Sequence, residues 1–265
     1  MDALTFSTDR VTTALGAWEV LHGGTGKRLL FLHGEEGQRG WLTHHQKLAE
    51  RFTVLAPTIP GVGGSVRPAW AESVPALAKC YLALLDQLKW DNCTLVGASL
   101  GGWIAAELAT LEPKRFDALV LAGAQGLPTG AYDVPDLFLT PYRRYISFGY
   151  AEPEGAAFSA AWPEASTEEA AEQDLEITEL AALVGFKPYM HDRALSGALQ
   201  RFANPALLLW GDQDRLTPPP VAQAYKAALS KAQLTTIPHA GHYVHLDQPA
   251  AFAAAITRFM EGNAP

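Results

Sequence analysis

A chain of 265 residues and 28.5 kDa is long enough for one catalytic domain that carries an insertion. With 48% hydrophobic and 18% charged residues it reads as globular rather than disordered. A formal net charge of −8 argues against nucleic acid as a partner, because phosphate binding needs clustered Lys and Arg.

Cys80 and Cys93 are the only cysteines, too few for a disulfide framework, and no Cys/His spacing suggests zinc, so no metal is expected. Residues 1–10 carry charges and no apolar core, and no apolar run reaches the length of a membrane span. The expectation is a cytoplasmic protein without membrane contact.

In chain order, Leu4-Thr5-Phe6 and Ala17-Trp18-Glu19-Val20 suggest an opening antiparallel pair. The apolar runs Leu29-Leu30-Phe31-Leu32 and Thr53-Val54-Leu55-Ala56 read as buried strands separated by a helix over 41–50. Residues 74–88 have helical apolar spacing, with Pro75 tolerated in the first turn. Strand 94–96, helix 100–111 and strand 118–121 follow. After a long middle segment come strand 206–210, helix 218–229, strand 233–237 and helix 248–260. Continuous apolar strands alternating with amphipathic helices predict an α/β fold. Its mostly parallel, twisted sheet has about eight strands, with helices on both faces. Ligands in such folds lie beyond the carboxyl ends of the strands.

The middle segment differs in composition. Residues 127–200 hold 12 Asp/Glu against 4 Lys/Arg, whereas the remainder holds 16 of each sign. The simplest reading of that acidity is a solvated face. The segment is too long for a structureless connection, since loops above about 15 residues are uncommon. It includes a helical pattern over 168–184 and many aromatics. The expected organisation is a core of residues 1–126 and 201–265 with a small helical cap, 127–200, inserted between them.

Gly97-Ala98-Ser99-Leu100-Gly101 lies between a strand and a helix. A serine at a sharp strand-to-helix turn needs small neighbours because other backbone comes close. The turn exposes its hydroxyl, and the helix start supplies partial positive charge. Later strands are followed by Gly211-Asp212-Gln213-Asp214 and by Pro238-His239-Ala240-Gly241-His242. A nucleophile, a base and a carboxylate to orient the base would thus meet at one sheet edge.

These motifs, in order with His33-Gly34 and Pro60-Gly61-Val62-Gly63-Gly64-Ser65, resemble the α/β-hydrolase superfamily over essentially the whole chain. The resemblance implies Ser99 as nucleophile, His242 as base and Asp214, rather than Asp212, as the orienting acid. It also implies an oxyanion hole from the backbone N–H groups of Leu100 and Glu35, and a helical cap at 127–200. His33 is expected to support the neighbouring loops; His44 and His45 are read as surface or packing residues. Family members more often carry an aromatic or glycine at position 35, and an aspartate near Thr58. Glu35 is expected to face outward, because acidic groups oppose negative charge at an oxyanion site. Glu36 is expected to be the one that influences substrate choice, with Tyr243, Tyr142 and Trp162 as further candidate substrate contacts.

The resulting expectation is a serine hydrolase that cleaves a carboxylic ester, thioester or lactone through an acyl-enzyme, without a cofactor. Its partner would be a small molecule with an apolar portion. Hydrolysis of a carbon–carbon bond in a ring-cleavage product, and a slow or non-enzymatic ligand receptor on the same scaffold, are the alternatives.

Overall fold

The computed structural model describes residues 6–130, 132–163 and 167–263. Leu4 and Thr5 of the expected first strand lie outside them. Eight strands form one sheet: β1 (Phe6–Thr13), β2 (Gly16–Gly23), β3 (Lys27–Leu32), β4 (Phe52–Pro57), β5 (Cys93–Ala98), β6 (Phe116–Ala122), β7 (Ala206–Gly211) and β8 (Ala232–Ile237). Their spatial order is β1-β2-β4-β3-β5-β6-β7-β8. The pairs β1–β2 and β2–β4 are antiparallel and the remaining pairs are parallel. The opening hairpin is longer than the sequence suggested, because polar residues on the exposed edge strand β1 give no burial signal.

The central strands are continuous apolar runs because both faces are covered. Leu30, Leu32, Leu95, Leu119, Leu121 and Leu208 face one core, with α2 (Val74–Leu88), α3 (Ser99–Leu111) and α8 (Pro219–Ala228). Their alternating neighbours Leu29, Phe31, Val96, Val120, Leu207 and Leu209 face a second core, with α1 (Thr43–Ala49) and α10 (Pro249–Gly262). Local signals bound the helices. Ser73 caps α2 by accepting from Ala76 N at 3.3 Å, ahead of Pro75 in its first turn, and Lys89 ends it in the left-handed conformation at φ 54°.

Between β6 and β7 the chain forms α4 (Tyr142–Phe148), α5 (Ala156–Ala161), α6 (Glu168–Gly185) and α7 (Leu195–Ala198). Helix α6 starts where Thr167 accepts from Ala170 N at 3.2 Å, with Glu168 and Glu169 favourably placed at the positive helix end. This segment is tied to the sheet by the Arg39–Asp174 ion pair, by Gly63 N donating to Glu176 Oε2 at 2.7 Å, and by Ala151 N donating to Asp247 Oδ2 at 2.8 Å. A short helix α9 (Val244–Asp247) follows β8. None of the helices is long and apolar enough to cross a membrane, among the described residues.

His44 and His45 are buried where α1 meets α10, packed on Phe31 and His245. Burial holds both below the ordinary histidine pKa, His44 well below and His45 down to about 3. Both therefore fold neutral, while the unfolded chain protonates them near ~6.5. Their contribution to stability is present above that pH and is lost as pH falls below it. Each adds a slope of about 1.4 kcal/mol per pH unit in that range. Urea unfolding between pH 7 and 5 should show stability dropping with pH, and His44→Phe should reduce the slope by about one histidine's share; an unchanged slope would remove His44 from the effect.

Candidate active site

Ser99 sits at the junction of β5 and α3 with φ 51°, a left-handed conformation that costs a non-glycine residue on the order of 1–3 kcal/mol. The surrounding small residues make the turn possible. A Cβ on Gly97 would fall on the Gly101 carbonyl, and one on Gly101 would fall on the Leu32 and His33 carbonyls. Gly101→Ala should therefore lower stability by about 1–3 kcal/mol, measured by urea unfolding, with displacement of the turn; a variant as stable as the parent would contradict this close packing.

The structure brings Ser99, His242 and Asp214 together. Ser99 Oγ lies 2.5 Å from His242 Nε2, and His242 Nδ1 lies 3.0 Å from Asp214 Oδ2. All three side chains are buried. Asp214 is fixed in turn. Its Oδ1 accepts from the N–H groups of Leu216 at 2.9 Å and Thr217 at 2.8 Å, and its Oδ2 accepts from Thr217 Oγ1 at 2.8 Å. Asp212, the competing acid in the same motif, instead accepts from Ala240 N at 3.3 Å and holds the loop. Burial disfavours the charged form of His242, but the charge and hydrogen bond of Asp214, with Glu35 behind them, outweigh it and raise its pKa.

Glu35 departs from the sequence expectation. It does not face outward: it is fully buried, and its carboxyl group lies against the serine. Oε2 is 2.6 Å from Ser99 Oγ and accepts from Leu100 N at 3.3 Å, the N–H expected to serve an oxyanion. Around Oε1 stand Gln125 Nε2 at 3.3 Å, Tyr145 Oη at 3.4 Å and Tyr243 Oη at 3.3 Å. Tyr142 donates to the Glu35 main-chain carbonyl. The reason for inward placement is polar: Gln125 from the loop after β6, Tyr145 from α4 and Tyr243 from the loop before α9 converge on its carboxyl group.

Its neighbour Glu36 is buried as well, with Oε1 2.9 Å from Gly34 N and 3.2 Å from His245 Nε2. Burial pushes its pKa up, but the hydrogen bond and charge of His245, then His33 and Gly34 N–H, together bring it below the ordinary value. These contacts anchor the loop. His33 supports the same loop as expected: Nδ1 lies 2.9 Å from the Gly34 carbonyl and Nε2 accepts from Ile59 N at 3.0 Å.

Of the aromatic candidates, Tyr243 and Tyr142 reach Glu35, whereas Trp162 stands one layer out, edge-on to Tyr142 and under the Arg39 guanidinium. Burial raises the pKa of Tyr142, Tyr145 and Tyr243 well above the ordinary tyrosine value, so they remain O–H donors. Gln125, Tyr145 and Thr217 escaped the sequence reading. Gln125 had a positional signal, since it follows a strand at the same sheet edge; Tyr145 was one aromatic among many in its segment. Among the described residues, no three His, Cys, Asp or Glu side chains converge as a metal site.

A family model described as alpha/beta hydrolase fold matches residues 27–249. The chain belongs to that family. An uncharacterised protein of Mycobacterium tuberculosis is 29% identical, over 91% of this α/β-hydrolase chain and 77% of its own. The pimeloyl-[acyl-carrier protein] methyl ester esterase of Nitrosospira multiformis is 26% identical, over 89% of this chain and 95% of its own. Among solved structures, the 2-hydroxy-6-oxo-6-phenylhexa-2,4-dienoate hydrolase of a Rhodococcus species superposes with a TM-score of 0.79 at 23% identity, over 97% of this chain and 99% of its own. That likeness shows the shared fold.

Proposed function

We propose that this α/β-hydrolase cleaves a carboxylic ester, or a near relative such as a thioester or lactone, through an acyl-enzyme on Ser99. The observation that carries the reading is the unbroken contact from Ser99 Oγ through His242 to Asp214, at 2.5 and 3.0 Å, on a strained turn at a helix start. A serine on such a relay is an activated nucleophile for acyl carbon. The esterase among the relatives supports the same class of bond.

In this reading Ser99 Oγ attacks the carbonyl carbon as its proton passes to His242 Nε2. The C=O electron pair moves to oxygen, held by the N–H groups of Leu100 and Glu35. Collapse expels the alkoxide, which takes the proton from His242. Water then repeats the sequence on the acyl-enzyme, releasing the acid and restoring Ser99. Asp214 keeps the His242 Nδ1 proton in place and steadies the imidazolium. Residues 127–200 serve as the cap: Ser99 and His242 are each 1% exposed, and α4 sets Tyr142 and Tyr145 against the Glu35 that meets the serine, an enclosure that favours a substrate with an apolar portion.

The test is a p-nitrophenyl ester series from acetate to decanoate with the parent and Ser99→Ala. Steady turnover should disappear in the variant while the unfolding midpoint stays nearly constant. Stoichiometric acylation without turnover would instead favour the carbon–carbon hydrolase or the receptor. Because the folded pKa of His242 is raised, activity should be lost as pH falls through a value above ~6.5. A rate that is flat across that range would remove His242 as the base.

A further inference from the structure

Ser99 Oγ makes two short contacts, 2.5 Å to His242 Nε2 and 2.6 Å to Glu35 Oε2, but a hydroxyl has one proton. Each contact needs a proton of its own. In one arrangement His242 is neutral and receives the Ser99 O–H, so the Glu35 carboxyl must supply the proton on its own contact. In the other, Glu35 is ionised and takes the Ser99 O–H, while an imidazolium Nε2–H points at Oγ. Both arrangements hold the same number of protons. Only the first leaves His242 free to act as the base, with Asp214 behind it.

We propose that Glu35 is a further catalytic residue, a neutral carboxylic acid that shares one proton with His242 and hydrogen-bonds the substrate carbonyl oxygen during attack. The inference rests on the ester-cleaving reading of the same site. Geometry favours the neutral acid. Asp214 already provides the counter-charge to His242 at 3.0 Å, whereas Glu35 Oε1 is 3.8 Å from Nε2. Among the described residues, no Lys or Arg makes a hydrogen bond or ion pair with Glu35. The three contacts at Oε1, from 3.3 to 3.4 Å, are too long to replace the hydration of a carboxylate. Burial accordingly raises the Glu35 pKa, against the opposing pull of His242.

The titratable and charged groups that face Glu35 are few. Glu36 is its neighbour on the loop, paired with His245 and near His33. From α4 come Tyr142 and Tyr145, from the loop before α9 His242 and Tyr243, and from the loop after β7 Asp214, across the imidazole. Tyr189 feels the Glu35 charge from the segment between α6 and α7. With tyrosines protonated, the pair that titrates against the serine is Glu35 and His242.

The step balances without another reagent. An incoming carbonyl oxygen takes the Leu100 N–H from Oε2, and the Glu35 O–H turns from Ser99 Oγ to that oxygen. Ser99 gives its proton to His242 as the Oγ–C bond forms, and Glu35 keeps its own proton throughout. At low pH both groups are protonated and there is no base. At high pH His242 is free, but a carboxylate stands beside the developing oxyanion and opposes it. Both limbs of the rate profile thus belong to the pair.

The experiment follows the rate at which a fluorophosphonate labels Ser99 between pH 5 and 10, in the parent, Glu35→Gln and Glu35→Ala, with unfolding midpoints recorded at each pH. The phosphonyl oxygen occupies the position of the carbonyl oxygen. The parent should give a bell. Glu35→Gln, a neutral donor of the same shape, should lose the alkaline fall and keep its acid limb nearly where the parent has it, because Glu35 is already neutral while the imidazolium gives up its proton. Glu35→Ala should label about 100-fold more slowly at the parent's optimum, the usual loss for one oxyanion donor.

An alkaline limb retained in Glu35→Gln, or labelling of Glu35→Ala as fast as the parent or faster, overturns the proposal; the latter would make Glu35 an obstruction. Should Glu35→Ala fail to fold, the isosteric variant decides alone. A parent that is not labelled at Ser99 overturns the ester reading itself and the inference with it. Labelling with an unchanged profile overturns only the role of Glu35.

Discussion

The contact between Ser99 and His242 depends on a backbone that few sequences tolerate. At φ 51° the serine turns its hydroxyl out of the end of β5 just as α3 begins, and a helix this close to the sheet needs Gly97 and Gly101 bare of side chains. The strain is sustained because both sides are rigid: β5 is buried along its full length and α3 is buried from its first residue. From that fixed point, parallel strand order does the rest. Loops after β6, β7 and β8 open at the same edge and bring Gln125, Asp214 and His242 within reach of one another.

Two adjacent acids in one loop are then disposed of in opposite directions. Glu36 turns to His245 and the Gly34 N–H on the side of α9, which gives its carboxyl group two hydrogen-bond partners. Glu35 turns to the serine, where the imidazole already has Asp214. Burying two carboxylates in one loop with no Lys or Arg paired to either, among the described residues, is costly, and the effective penalty for an unpaired buried ion is several kcal/mol. One member of the pair finds a histidine; the other is relieved by keeping its proton. The same electrostatic constraint that makes the loop possible places an acid proton at the reacting oxygen.

Much of this was legible in the residues. Apolar runs of four or five flanked by amphipathic stretches marked the parallel strands, and Gly97 to Gly101, the motif at 211–214 and His242 stood in chain order at the strand ends. What was hidden has a common physical origin. A backbone N–H role leaves its side chain unspecified, so nothing in His33-Gly34-Glu35-Glu36 showed which acid faced inward. Tyr145 and Trp162 are aromatics of one segment, and only their contacts tell them apart: Tyr145 meets Glu35, whereas Trp162 packs edge-on against Tyr142. His44 and His45 are polar by type but buried by the packing of α1 on α10, a contact between elements two hundred residues apart. Short helices α5, α7 and α9 were missed since four to six residues give no periodicity.

The most direct measurement of where the shared proton resides is the 15N resonance of His242 Nε2, in protein labelled at histidine and held at the pH of its activity maximum. If Glu35 carries the proton, Nε2 should resonate as an unprotonated ring nitrogen accepting a hydrogen bond from Ser99, with Nδ1 protonated toward Asp214. A protonated Nε2 at that pH would mean that Glu35 is ionised and His242 is an imidazolium, and the account of a neutral acid at the reacting oxygen would be wrong.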